Sequence, residues 1–159
     1  MVVFYRRLPK FEYIKPENQK ILFEILSDGK SCSVYAGGTD LIPKLKKRLI
    51  EPPEILIDLK GLSELDYIKM ENGSLKIGAL STIYSVATSN MVVEKFNILS
   101  QAAKSIAAFQ IQNRGTIVGN ICNAVPSADS APALLVLDAR LNIKKKDNER
   151  KVSINEFFI

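Results

Sequence analysis

Cys32, Val34 and Ala36 alternate with Ser33 and Tyr35, and beyond Gly37-Gly38 the apolar residues Leu41, Leu45 and Leu49 recur every fourth position. A period of two that gives way to a period near four predicts a half-buried strand, a glycine turn and a helix with one apolar face. Pro43 fits the first turn of that helix, and Glu51-Pro52-Pro53 ends it. Ile55-Leu56-Ile57 then reads as a short apolar strand. Strand, helix and strand in this order predict a parallel βαβ unit with a right-handed crossover. Upstream, Pro16-Glu17-Asn18 opens a helix with Ile21, Leu22, Ile25 and Leu26 on one face, ended by Asp28-Gly29. Residues 1–60 therefore predict a small α/β lobe.

The pattern changes after residue 60. Ile68 and Met70 alternate before Asn72-Gly73, and Leu75 and Ile77 alternate after it, which predicts a type I′ hairpin. Ser81 or Thr82 is placed to cap a short helix over Ile83 to Thr88. From Asn97 a longer helix carries Ile98, Leu99, Ala102, Ala103 and Ile106 as a narrow apolar stripe facing a core. Ser130 can cap a helix with Pro132 in its first turn and Leu134, Leu135 and Leu137 behind. Leu141-Asn142-Ile143 and Lys151-Val152 then predict a hairpin turning at Asp147-Asn148. Ser153-Ile154-Asn155-Glu156 is a capping box followed by Phe157 and Phe158, aromatics that predict a lost C-terminal domain, a covering partner subunit, or packing back on the chain's own core.

Between these helices lies Arg114-Gly115-Thr116-Ile117-Val118-Gly119-Asn120-Ile121-Cys122-Asn123, continuing to Asp129, polar and glycine-bearing with no sustained period. Segments of this kind inside a domain tend to be binding loops. In Ala36-Gly37-Gly38-Thr39-Asp40-Leu41 the glycines let the backbone take positive φ and approach a ligand without a Cβ in the way, while Thr39 or Asp40 can cap the helix behind them. Free N–H groups in such a loop suit a phosphate or diphosphate.

Composition narrows the chemistry. The 159 residues include no histidine and only Cys32 and Cys122 as cysteines. These cannot build a four-cysteine iron–sulfur or zinc site, and Ser-His-Asp or Cys-His catalysis is excluded, so any reaction must use a cofactor or another chain. The net charge of +5 comes largely from Lys44, Lys46, Lys47 and Arg48 and from Lys144, Lys145 and Lys146. Neither run is interleaved with aromatics, so both read as solvated faces rather than a nucleic-acid surface. No apolar run approaches the roughly 20 residues that span a bilayer. At the start, Arg6 and Arg7 follow the apolar residues, the reverse of a secretory signal, which predicts a cytoplasmic protein.

The two glycine segments together resemble the FAD-binding region of the molybdenum hydroxylase flavoproteins, the family of the medium subunit of carbon monoxide dehydrogenase-like enzymes and the middle domain of xanthine dehydrogenase. The residues that carry the resemblance are Ala36-Gly37-Gly38-Thr39-Asp40-Leu41, Thr116-Ile117-Val118-Gly119-Asn120, and Asp129 within Pro126-Ser127-Ala128-Asp129, with Ile77-Gly78-Ala79-Leu80-Ser81-Thr82 between them. Val118 stands where the family generally has glycine, and a β-branched residue there disfavours positive φ. The resemblance implies an α+β, two-lobed, PCMH-like FAD-binding fold. Its small parallel α/β lobe would cover 1–60 and its larger antiparallel α+β lobe 61–159, with the family's C-terminal flavoprotein domain absent.

The same resemblance places FAD against Val34, Tyr35, Ala36, Gly37, Gly38, Thr39, Asp40, Leu41, Ile106, Thr116, Ile117, Val118, Gly119, Asn120 and Asp129. Backbone N–H groups of both loops would grip the diphosphate, with the Thr39 and Thr116 hydroxyls and the Asn120 amide as further donors. Asp129 repels phosphate and is expected near a ribose or the adenine. Asp40 is expected to cap or orient its loop, and Ile106 to pack either against the adenosine or within the helix core. No side chain is expected to be catalytic or to bind metal. The implied partners are a large subunit with the molybdenum cofactor, a small subunit with 2Fe-2S clusters and a separate C-terminal flavoprotein domain, and this FAD would pass electrons from the clusters to an acceptor such as NAD, a quinone or oxygen. The competing readings are a non-catalytic assembly or adaptor module that keeps the fold without flavin, and a stand-alone two-lobed FAD oxidoreductase.

Overall fold

A computed structural model describes residues 7–124 and 128–158. Its first element, β1 (Glu12–Ile14), is a three-residue strand that the sequence pattern does not announce. α1 (Gln19–Leu26) follows, with the Asn18 side chain accepting from the Ile21 N–H at 3.0 Å as its cap. Leu22 is buried, whereas Ile21 and Leu26 stay exposed, so the buried face is narrower than the four apolar residues suggest. β2 (Cys32–Tyr35) and β3 (Ile55–Asp58) enclose α2 (Leu41–Lys47), as the βαβ pattern predicts. Both β1 and β2 pair in parallel with β3, giving the order β1-β3-β2.

The central strand β3 is buried along its whole length, which is why it reads as a continuous apolar run rather than an alternating one. Leu22, Ile55, Ile57, Leu59, Leu62 and Leu80 form one hydrophobic cluster around it. α2 ends where Arg48 adopts a left-handed conformation at φ 60°. Leu49 therefore falls outside the helix and is 67% exposed, and only Leu45 of the predicted apolar face is fully buried.

β4 (Ile68–Glu71) and β5 (Ser74–Ile77) form an antiparallel hairpin with Asn72 and Gly73 both at positive φ, as a type I′ turn requires. α3 (Ile83–Thr88), α4 (Asn90–Lys95) and α5 (Asn97–Ser105) then supply most of a second cluster, Ile83, Val86, Ala87, Val92, Leu99 and Ala103, which Ile106 and Ile117 complete. Small residues on α5 allow close approach to α3, and the buried Ser100 hydroxyl donates to the Ala87 carbonyl across the contact at 2.8 Å. α6 (Phe109–Gln112), α7 (Ile117–Cys122) and α8 (Ser130–Val136) follow. The hairpin of β6 (Arg140–Lys145) and β7 (Asn148–Ser153) turns at Lys146-Asp147, one residue earlier than predicted. α9 (Ile154–Phe157) is a single turn capped by Ser153, with Phe157 and Phe158 packed edge to face. Among the described residues no helix is long and apolar enough to cross a membrane.

Candidate functional site

Tyr35 and Asp58 close β2 and β3 at the carboxyl end of the parallel sheet, the end at which open α/β sheets take their ligands. The chain leaves β2 through Ala36-Gly37-Gly38, and each glycine meets a different constraint. Gly38 sits at φ +74°, and a Cβ on it would lie 2.0 Å from the Tyr35 ring. A Cβ on Gly37 would lie 2.2 Å from the Arg114 carbonyl oxygen and 2.8 Å from the Gly115 Cα. The two glycine segments therefore touch, backbone to backbone, although far apart in sequence. The N–H groups of Gly37, Gly38, Thr39 and Asp40 donate to no acceptor among the described residues.

The second segment is anchored from the opposite side. Thr82 and Thr116 form an isolated antiparallel bridge, in which the Ile83 N–H donates to Gly115 at 2.8 Å and the Ile117 N–H to Ser81 at 3.4 Å. The buried Gln112 side chain donates to the carbonyls of Lys104 and Ile106, at 3.0 and 2.9 Å, and so fixes the turn that presents Arg114. Between the segments, Lys44 of α2 donates to the Asn123 side chain at 2.7 Å and pairs with Asp40 at 2.7 Å. One ammonium thus links the two halves of the site.

Several expectations change in this geometry. The stretch expected to be a binding loop is helical over residues 117–122, the short helix α7. Its cap is Thr116, whose hydroxyl accepts from the Gly119 N–H at 2.9 Å and is committed there as an acceptor. Val118 has no positive φ, so its β-branch meets no backbone conflict. Asp40 holds the N-cap position of α2 but makes no capping hydrogen bond, because its carboxylate turns to Lys44. Asp129, not Ser130, is the N-cap of α8, also without a side-chain cap bond. Ser130 is buried, and its hydroxyl instead donates to Asn120 and ties α8 to α7.

Ala36, Gly37, Gly38, Thr39, Asp40 and Leu41 lie together with Tyr35 at the sheet edge, and Thr116 faces them across the contact. Val34 is half exposed on β2, Val118 half-buried and Gly119 exposed on α7. Ile106 and Ile117 are buried within the second cluster, so their side chains serve the helix core. Asp129 is exposed. Of the stretch before it, Pro126 and Ser127 lie outside the described residues.

A cleft of about 390 Å³ opens where the segments meet, within the ~300–1,000 Å³ range of cofactor sites. Ala36, Gly37, Thr82 and Thr116 line it, with Lys60 and Arg114 as its cations. Lys60 pairs with Asp58 at 2.8 Å, donates to the Ala36 carbonyl at 3.3 Å, and sits 3.5 Å over the Tyr35 ring centroid. Burial raises the Asp58 carboxyl, but hydrogen bonds from Lys60 and Tyr13 outweigh it and hold the group below its ordinary value. The bond to Asp58 in turn pushes the Tyr13 phenol up to about 12. Neither Lys60 nor Arg114 is among the residues expected from the sequence. A lysine two residues beyond an apolar strand and an arginine before a glycine segment were the signals, each too common to stand out.

A glycine loop at the carboxyl end of a parallel sheet, closed by a second glycine segment from an antiparallel α+β lobe, defines a two-lobed dinucleotide-binding fold. The sequence matches, over residues 9–159, the family described as FAD binding domain in molybdopterin dehydrogenase, and the chain belongs to that family. It is 33% identical over 150 residues to the glyceraldehyde dehydrogenase medium chain of Sulfolobus acidocaldarius, covering 94% of this chain and 53% of the relative. It is 38% identical over 134 residues to the xanthine dehydrogenase FAD-binding subunit of Escherichia coli, covering 84% of this chain and 46% of that one. The structure superposes on carbon monoxide dehydrogenase from Hydrogenophaga pseudoflava with a TM-score of 0.91 at 32% identity, covering 96% of this chain and 53% of that one. The chain spans about half the length of the relatives it matches. The family and its α+β, two-lobed architecture are those the two glycine segments imply, and FAD is the family's cofactor.

Proposed function

We propose that this chain is the FAD-holding part of a molybdenum hydroxylase-type dehydrogenase, and that Gly37-Gly38-Thr39-Asp40 and the Thr116–Asn120 segment clasp the FAD diphosphate between them. The observation that carries this reading is the contact of Gly37, which lines the cleft, with Arg114-Gly115, in a loop where the N–H groups of residues 37–40 donate to no acceptor among the described residues. A diphosphate is the ligand such a strip suits, since each oxygen can accept from backbone donors without a side chain intervening. The residues present fit the group: the glycine loop brings bare backbone to the cleft, and Arg114, which pairs with no carboxylate among the described residues, brings a positive charge to it.

Bound FAD supplies two-electron oxidation and reduction. The chain's own residues bind and orient it. Tyr35 stacks behind Gly38 and sets the loop path, Lys44 fixes the spacing between α2 and Asn123, and the Thr116 cap holds α7 in place. Electron passage through the flavin requires no side chain of this chain to act as acid or base. Partner subunits with a molybdenum cofactor and 2Fe-2S clusters would deliver the electrons, and NAD, a quinone or oxygen would accept them. The relatives' names as medium chain and FAD-binding subunit support that arrangement. In such a complex the protein would work in the cytoplasm.

The test is a flavin titration of the purified protein, alone and with its partner subunits, followed by absorbance and fluorescence. Saturable binding of one FAD per chain is expected. Folded protein that takes up no FAD in either setting would overturn the assignment and favour the adaptor reading.

A further inference from the structure

Two cations line the cleft, and their surroundings differ. Lys60 is committed three ways, to the buried Asp58 carboxylate, the Ala36 carbonyl and the Tyr35 ring. Its charge is matched within the protein. Arg114 pairs with no carboxylate among the described residues, and the one hydrogen bond its side chain makes there is from Nη2 to the Tyr35 hydroxyl, at 3.3 Å. Its side chain is exposed at the cleft, directly beyond the point where its own carbonyl meets Gly37.

Tyr35 is in turn held tightly. Gly38 lies against its ring edge, Lys60 sits over its face, and β2 fixes its backbone by pairing with Asp58. The phenol is a fixed post at the cleft mouth that can hold one arm of a planar guanidinium. The remaining Arg114 donors stay available, and a guanidinium carries five in a fork that suits phosphate oxygens. Asp66 also lines the cleft, so an anion there needs a positive group nearby.

We propose that Arg114 is the specificity-determining cation of this site: oriented by the Tyr35 hydroxyl, it binds the phosphate groups of the ligand and makes the cleft select phosphorylated flavins over riboflavin. The assignment rests on the FAD reading above and goes beyond the backbone grip, which by itself carries no full charge. Lys60 is the support that keeps Tyr35 in position.

Fluorescence titrations of the purified protein with FAD, FMN and riboflavin, at low and high salt, test the proposal on Arg114→Gln, Arg114→Lys and Tyr35→Phe. Arg114 is exposed, so the fold should tolerate Arg114→Gln, and thermal melts check this. Arg114→Gln is expected to weaken FAD and FMN about tenfold or more, the scale of one charge-assisted contact, and to leave riboflavin unchanged. It should also flatten the salt dependence of FAD binding. Arg114→Lys should keep the salt dependence and recover part of the affinity, and Tyr35→Phe should weaken FAD by less than Arg114→Gln. Wild-type affinity and salt dependence in Arg114→Gln would overturn the role of Arg114 while leaving FAD binding intact. Equal losses for riboflavin and FAD would overturn it too, since that marks a structural defect. Absence of FAD binding by the wild type would instead remove the reading on which the assignment stands.

Discussion

Replacing Gly37 by alanine isolates the contact between the two halves of the site. The added Cβ would sit 2.2 Å from the Arg114 carbonyl oxygen and 2.9 Å from its carbonyl carbon, both backbone atoms. An ordinary contact needs more than about 3 Å, so one segment must retreat by roughly 1 Å, in the class of overpacking changes that cost about 1–3 kcal/mol. At about 2–4 °C per kcal/mol for a chain of this size, the melting temperature should drop by roughly 2–12 °C. The same retreat should widen the cleft and weaken FAD by tenfold or more. Gly29 provides the control: it also lies away from helix and strand interiors, at φ +77°, but nothing lies within 4 Å of an added Cβ. Gly29→Ala should therefore cost only the left-handed strain, about 1 kcal/mol, with FAD affinity untouched. Differential scanning fluorimetry and a flavin titration on the two variants give both numbers. Gly37→Ala matching wild type in both, or Gly29→Ala losing as much affinity, would refute the reasoning.

Three further outcomes follow from individual contacts. Thr116→Val keeps the buried shape but removes the cap on the Gly119 N–H, and should lower stability by about 1 kcal/mol in denaturant melts; an unchanged midpoint would show the cap to be dispensable. The raised phenol of Tyr13 contributes stability that is present below its unfolded value of about 10 and is lost as pH climbs from there through about 12. Tyr13→Phe should thus remove an alkaline step in stability between those values, while the lowered Asp58 carboxyl protects the fold until pH falls below the ordinary carboxylate range. Val118→Gly should cost about 0.5 kcal/mol of helix stability and leave FAD affinity as it is, since Val118 is already helical; a tenfold gain in affinity would mean that the valine obstructs the site.

The pattern of apolar positions located most elements because their signals were local. The Asn72-Gly73 turn, the Thr82 and Ser153 caps and the βαβ order each depend on a few neighbouring residues. β1 was not legible, since three residues at a sheet edge carry no period of their own, and pairing with β3 alone makes them a strand. Leu49 was misplaced because Arg48 turns left-handed ahead of it, a backbone choice with no glycine to mark it. At the site, the glycines advertised a close approach but not its partner. That Gly37 meets Arg114 depends on the Thr82–Thr116 bridge and the Lys44–Asn123 bond, long-range contacts invisible to spacing. The short polar residues of 114–129 read as a loop by pattern, yet the Thr116 hydroxyl caps α7 and the Ser130 hydroxyl joins α8 to α7.

The most direct test of the central claim is hydrogen exchange with mass spectrometry on the purified protein, with and without FAD. The N–H groups of residues 37–40 are unbonded to the rest of the described chain, so they should exchange quickly in the free protein. On adding FAD, both that segment and residues 114–120 should slow together, as one ligand bridging the two would require. Protection of only one segment, or of neither while FAD is bound, would contradict the account.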